Sequence, residues 1–164
     1  MTEPDNELLM AAFREVMASV ATPVTVVTAM EDGRPHGTTV SAFVSLSMQP
    51  PMVLVALDRR SELLGLIKSS PRFGVNVLER GQSALALAFA RKGGAGKFVG
   101  VSWEMDRDIP RLLGASGWLA CEVADLIDGG DHVIVLGHVV SAETAGGDPL
   151  TYHARAFGTH VGLA

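Results

Sequence analysis

The sequence contains a single cysteine, Cys121, among 164 residues, so no disulfide can close within the chain and no cysteine-rich zinc site can form. It is short of cations: 13 lysines and arginines stand against 18 aspartates and glutamates, a formal net charge of −5. That balance argues against nonspecific binding to nucleic acid or to an anionic membrane, both of which need clustered cations. No apolar run approaches the roughly 20 residues of a membrane helix. The acidic opening MTEPDNE lacks the basic and apolar regions of a secretory leader, and the expected compartment is the cytoplasm. Also missing are an HExxH pattern, a Cys/His pairing, a GxSxG elbow, a P-loop and a GxGxxG fingerprint. No catalytic metal is expected, and any nucleotide cofactor must be held by something other than a Rossmann turn.

What is present suits one domain over residues 1–164, with 48% hydrophobic residues to fill a core and 18 glycines and 8 prolines to make turns. Residues 6–20 predict an amphipathic helix: Leu8, Leu9, Ala12, Phe13, Val16, Met17 and Val20 recur at helical spacing, with Asn6 placed to cap it. Residues 24–30 (VTVVTAM) predict a strand, Glu31-Asp32-Gly33 a hairpin turn, and His36 to Phe43 the return strand. Met52 to Leu57 is a continuous apolar run and reads as a buried strand. Ser61 can cap a short helix carrying Leu63, Leu64 and Ile67, which ends before Pro71. Phe73 to Leu78 predicts another strand, residues 82–91 a helix, and Lys92 to Gly96 a mobile glycine-rich loop. Two later strands, Gly117–Leu126 and His132–Ala142, join through Asp128-Gly129-Gly130-Asp131, and a segment from Leu150 to Phe157 is expected to close the sheet. Many strands at short spacing with few helices favour an antiparallel barrel over a doubly wound sheet.

The stretch GTTVSAFVSLSMQPP (37–51) is rich in hydroxyls, from Thr38, Thr39, Ser41, Ser45 and Ser47. Hydroxyls and backbone amides are the neutral donors that a phosphate or a heteroaromatic edge requires, yet the same composition suits a solvent-facing edge strand and turn. Asp58-Arg59-Arg60-Ser61 sets two guanidiniums beside a helix start, as an anion site or as an ordinary cap with a solvated charge pair. Lys97-Phe98 pairs a cation with a ring after the glycine loop. His132, preceded by Gly130-Asp131, can donate to a ligand or simply be oriented by Asp131. Trp103, Trp118 and Cys121 read as core residues.

Taken together, GTTVSAFVSLSMQPPMVLVAL, the Ser61 turn, FGVNVLERGQ, KFVGVSW, GWLACEV, GDHVIVLGHV and PLTYHARAF resemble the flavin reductase family with the FMN-binding split-barrel fold. The pieces run in the family's order from about Phe13 to Phe157. The resemblance implies a mainly β protein with a few helices, an antiparallel Greek-key split barrel, and a homodimer with flavin at or near the subunit interface. It implies that Thr38, Thr39, Val40 and Ser41 line the isoalloxazine edge, and that Ser45 and Ser47 lie in a polar turn near the ribityl chain or phosphate. Leu57, Asp58 and Ser61 match another flavin-contacting stretch, and Lys97 and Phe98 a loop that closes over the cofactor. His132, Tyr152, His153 and Arg155 would face the nicotinamide nucleotide. The sequence departs from the family at His153, where Phe or Arg is commoner, and at Ala42, where a second serine is usual.

The implied activity is NAD(P)H:flavin oxidoreduction, with NADH or NADPH reducing FMN or FAD and the reduced flavin passing to a separate monooxygenase. Such chemistry belongs to the cofactors and needs no protein nucleophile or base, His132 being the one candidate to assist. The alternatives are a B6-phosphate oxidase of related fold and a non-enzymatic flavin- or haem-binding module.

Overall fold

A computed structural model describes residues 3–163 of the chain. Helix α1 (Glu3–Ala18) leads into β1 (Thr22–Pro23), β2 (Thr25–Glu31), β3 (Arg34–Val40), β4 (Phe43–Met48) and β5 (Pro51–Asp58). Then come α2 (Glu62–Ser69), β6 (Arg72–Val77), α3 (Ser83–Ala90), β7 (Trp103–Asp106) and β8 (Ile109–Leu112). The chain finishes with β9 (Gly117–Gly129), β10 (His132–Thr144), β11 (Leu150–His153) and β12 (Ala156–Thr159).

The main sheet has seven antiparallel strands in the order β3-β2-β6-β9-β10-β5-β4. Its first turn is the expected one, with Asp32 and Gly33 both at positive φ between β2 and β3, the backbone a two-residue hairpin requires. Alternation along the strands sorts side chains into two layers. Val27 and Ala29 of β2, Phe73 and Val75 of β6, Val53, Val55 and Leu57 of β5, and Val133 and Val135 of β10 point into one core. Helix α2 adds Leu63, Leu64 and Ile67 to that core, each such burial contributing about 1.5–3 kcal/mol.

On the opposite side of β2 and β6, Val24, Val26 and Leu78 meet Ala86 and Phe89 of α3, together with Phe98, Leu112 and Leu150. Two buried polar residues fasten the β7–β8 hairpin to this face. Thr28 donates to the Pro110 carbonyl at 2.6 Å, while Asn76 donates to the Val26 carbonyl at 3.0 Å and accepts from the Leu112 N–H at 2.8 Å. With both faces covered, β2 and β6 are buried almost throughout.

Several expectations change. Helix α1 begins at Glu3, so Asn6 lies inside it and caps nothing, and its apolar residues Leu8, Phe13 and Val16 are exposed. The return strand from His36 to Phe43 is broken at Ser41-Ala42, where pairing passes from β2 to β5. The glycine-rich loop winds into a 3-10 turn at Gly94–Phe98. The β7–β8 hairpin had no counterpart among the sequence expectations. The terminal segment does not close the main sheet; β11 and β12 form a hairpin that pairs with β1 in a separate three-stranded sheet. Trp118 and Cys121 are core residues as expected, and Trp103 is partly buried against the second core. Burial alone pushes the Cys121 thiol up to about 12.

Candidate functional site

The main sheet curls so that the end of β3 approaches β5. The two-residue link Ser41-Ala42 bridges them: the Phe43 N–H donates to the Ser41 carbonyl at 2.9 Å, and the Ala56 N–H to the Ala42 carbonyl at 3.0 Å. Just past β5, the Asp58 carboxylate accepts from the Arg60 N–H at 2.8 Å, and the Ser61 N–H donates to the Asp58 carbonyl at 2.9 Å. This turn delivers the chain into α2 with Ser61 at the N-cap position in extended backbone, but the Ser61 hydroxyl makes no cap bond. It is therefore available to the space in front of it.

That space is a cleft of two lobes. The smaller, of about 210 Å³, is lined by Thr38 to Ala42, by Ala56 to Asp58, by Ser61 and by His132. The larger, of about 400 Å³, is lined by His36 to Thr38, Asp58, Arg60 to Leu63, Ala90 to Gly94 and Lys97. Thr38, Asp58 and Ser61 belong to both. The smaller lobe offers mostly neutral groups, hydroxyls and small apolar side chains. The larger offers Arg60, Arg91, Lys92 and Lys97 against the carboxylates of Asp58 and Glu62.

Two of those cations are bonded to neighbouring groups, Arg60 on a side chain 90% exposed and Lys97 on one that is partly buried. Arg60 forks onto Asp58 at 3.1 and 2.9 Å, which holds the Asp58 carboxyl far below the ordinary carboxylate range. Lys97 donates to the carbonyls of Gly37 and Phe89, both at 3.1 Å, tying the 3-10 turn to β3 and α3. Burial lowers the Lys97 pKa, an effect that nearby Glu62 opposes. Gly37 is a close approach: a Cβ there would stand 2.8 Å from Cε1 of the fully buried Phe89.

His132 reaches the rim of the smaller lobe on the first residue of β10, opposite Asp58 in register. Its Nδ1 lies 2.7 Å from the Asp131 carboxylate, which lowers the Asp131 pKa. Arg59 holds the adjoining turn, bonding the Asp128 carboxylate at 2.7 Å and the Gly130 carbonyl at 2.8 Å.

Of the residues expected at a site, Thr38, Thr39, Val40, Ser41, Leu57, Asp58, Ser61 and His132 gather at the smaller lobe, and Lys97 at the larger. Thr39 spends its hydroxyl on the Ala86 carbonyl at 2.6 Å. Ser45 and Ser47 lie on strand β4 rather than in a turn, with a register shift between them, and line neither lobe. Phe98 is turned into the core, edge-on to Phe89 and Trp103, because the 3-10 turn points it away from the cleft. Tyr152, His153 and Arg155 sit on the exposed β11–β12 hairpin off both lobes, with Arg155 ion-paired to Glu15 of α1. His36, Ala56, Glu62, Arg91 and Lys92 line the cleft without having been singled out as site residues. Arg91-Lys92 beside the glycine run was a readable signal; His36 and Ala56 carried none.

The sequence model described as "Flavin reductase like domain" matches residues 17–160. The chain is similar to the reductase component of 4-nitrophenol 4-monooxygenase/4-nitrocatechol 2-monooxygenase from Rhodococcus opacus, 41% identical over 151 residues, 92% of this chain and 81% of that protein. Among solved structures it resembles nitrilotriacetate monooxygenase component B from Mycobacterium thermoresistibile, with TM-score 0.90 and 29% identity over 95% of this chain and 89% of the other. It also resembles the NADH:FAD oxidoreductase SgcE6 of Streptomyces globisporus in complex with NAD and FAD fragments, with TM-score 0.87 and 30% identity over 98% and 96% of the two chains. The matched residues contain every element that walls the cleft, and the likeness runs over most of each relative's length, so this chain belongs to the flavin reductase like domain family.

Proposed function

We propose that the chain is a single-domain NAD(P)H:flavin oxidoreductase that reduces FMN or FAD with NADH or NADPH and supplies the reduced flavin to a separate flavin-dependent monooxygenase. The observation that carries this reading is the joining of a neutral, hydroxyl-lined lobe to a cationic one through Thr38, Asp58 and Ser61. A flat heteroaromatic ring with a charged phosphate tail needs that pairing of surfaces.

The donor set fits such a ligand. Thr38 and Ser41 on the strand end and the uncommitted hydroxyl of Ser61 present neutral donors, the kind a ring edge can use without a fixed charge. Ala42 and Ala56, with the backbone of Val40 and Leu57, whose side chains are buried in the core, give the surface against which a ring can lie. Lys97, held by two carbonyls, keeps donor capacity because an ammonium carries three N–H groups. The chemistry supplied by flavin and nicotinamide, when bound, is hydride transfer between their rings. The part of the chain is to bind, orient and shield them, which is where alignment lowers a barrier.

We assign His132 to the nicotinamide nucleotide, a reading supported by its place on the rim and by Asp131, which steadies its ring. Val44, Leu46 and Met48 are 51%, 44% and 79% exposed on edge strand β4, which starts one residue after the smaller lobe. A bare apolar edge invites a partner strand or surface, and we place a second copy of the chain there, as a homodimer. Tyr152, His153 and Arg155 would then meet the nucleotide across that interface. Among the described residues no helix is long and apolar enough to cross a membrane; that and the free, buried Cys121 support a cytoplasmic setting.

Steady-state oxidation of NADH and NADPH with added FMN or FAD tests the proposal. Turnover that depends on flavin is expected with at least one donor; none with either donor would overturn the reading.

A further inference from the structure

The larger lobe holds a charge of the wrong sign for a site that only grips an anion. Its other carboxylate, Asp58, is answered by Arg60 in a closed pair. Glu62, the first residue of α2, has no such answer: among the described residues its carboxylate makes no ion pair and no hydrogen bond. An acidic side chain in a first turn suits the helix dipole, but the dipole would be served as well by one turned out to bulk solvent. Glu62 instead lines the lobe. Its Oε2 lies 3.4 Å from the point that a Cβ on Gly94 would occupy, and Cε1 of His36 lies 3.8 Å from the same point. The carboxylate also acts through space on Lys97, opposing the fall that burial imposes on the Lys97 pKa.

We propose that Glu62 limits the affinity of the site for the phosphate of flavin and so hastens the departure of the reduced product. The proposal rests on the flavin reductase reading. A phosphate tail in this lobe gains from the third N–H of Lys97 and from Arg91 and Lys92. It loses against Glu62, because a phosphate monoester carries about −1.5 to −2 charge at pH 7. The smaller lobe, where the ring would lie, is not lined by Glu62. A repulsion confined to the tail loosens the flavin without disturbing the ring alignment on which hydride transfer depends. Such a change falls mainly on the dissociation rate, and an enzyme whose product must leave for a second protein gains from fast release.

Riboflavin and FMN are titrated by quenching of flavin fluorescence into the wild-type chain, Glu62→Gln and Glu62→Asp, and FMN dissociation is followed by stopped-flow displacement. Glu62 is exposed, so solvent and salt screen it, and the expected effect is an FMN affinity raised about threefold or more in Glu62→Gln at low ionic strength. The gain should appear as slower dissociation and shrink toward nothing in about 1 M salt, where charges are screened within about 3 Å. Riboflavin, which has no phosphate, should bind Glu62→Gln as it binds the wild type, and Glu62→Asp, which keeps the charge, should hold FMN more weakly than Glu62→Gln does. A folding defect cannot imitate a gain in affinity. Unchanged or weaker FMN binding to Glu62→Gln, an equal gain for riboflavin, or Asp behaving as Gln would overturn the proposal while leaving the flavin reading in place. Failure of both flavins to bind the wild type would remove that reading and this proposal with it.

Discussion

The smaller lobe of the cleft is walled by strand ends and the larger by the ends of helices set against β3, and the two are suited to different parts of a ligand. Thr38 to Val40 and Ala56 to Asp58 are held by ladder register, and the Ser41-Ala42 link by its bonds from the Phe43 and Ala56 N–H groups, so the hydroxyls and methyl groups of the smaller lobe stand in fixed positions. A rigid planar group is matched by such a surface. Arg60, Glu62, Arg91 and Lys92 project from the head of α2 and the foot of α3 on long side chains. These can follow a flexible charged tail. Gly37 and Lys97 hold the wall of the larger lobe, Gly37 next to Thr38, which both lobes share, so they are the place to break the contrast.

The largest effect is expected from Gly37→Val. Phe89 is fully buried and has no room to yield to a new Cβ 2.8 Å away, so overpacking should cost about 1–3 kcal/mol and spoil both lobes together. Thermal unfolding and flavin titration should both report it; an unchanged melting point with normal binding would show that the wall is softer than its packing implies. Next comes Lys97→Met, which leaves the Gly37 and Phe89 carbonyls without their donor. A loss of about 1–2 kcal/mol is expected, with riboflavin binding retained better than FMN binding, because the damage falls on the charged side.

Thr38→Val and Ser61→Ala probe the neutral side. Each should weaken flavin binding by about 1 kcal/mol, roughly fivefold, and by the same factor for FMN and FAD. A loss seen with FAD alone would place those hydroxyls on the tail rather than the ring. The smallest effect concerns acid. Asp58 is held below its ordinary value of 3.8 by Arg60, and Asp131 below 3.8 by its bond to His132. With the folded pKa depressed, the unfolded chain takes up protons first, so this stabilisation is present above pH 3.8 and fades below it. Both groups are exposed, so solvent screens them. Melts between pH 5 and 3 should fall less steeply for Asp58→Asn/Asp131→Asn than for the wild type; identical acid limbs would remove both pairs from the account.

Much of the barrel was legible locally. Val-Thr-Val-Val-Thr-Ala-Met, the Asp32-Gly33 turn and the apolar run into Leu57 each carry a complete local signal, and each became the expected strand or turn. The break at Ser41-Ala42 was not legible, because Thr-Thr-Val-Ser-Ala-Phe has strand chemistry throughout and the change of partner from β2 to β5 leaves no mark on composition. The β7–β8 hairpin escaped because it is fastened from outside, by Thr28 and Asn76 some 30 to 80 residues away. Phe98 was expected beside the cofactor with Lys97, yet neighbours on a 3-10 turn point to different sides, and the ring went to the core.

Residue types alone determined the alternation that sorts β2 and β6 into two layers, the lack of any disulfide, and the kinds of donor available for a ligand, since these depend on neighbours within a few positions. Only tertiary structure decided that Thr38, Asp58, Ser61 and His132 share one lobe and that Arg60 pairs with Asp58 whereas Arg91 has no ion pair among the described residues. Residues that far apart are brought together by strand register and by the curl of the sheet, and neither can be computed from spacing along the chain.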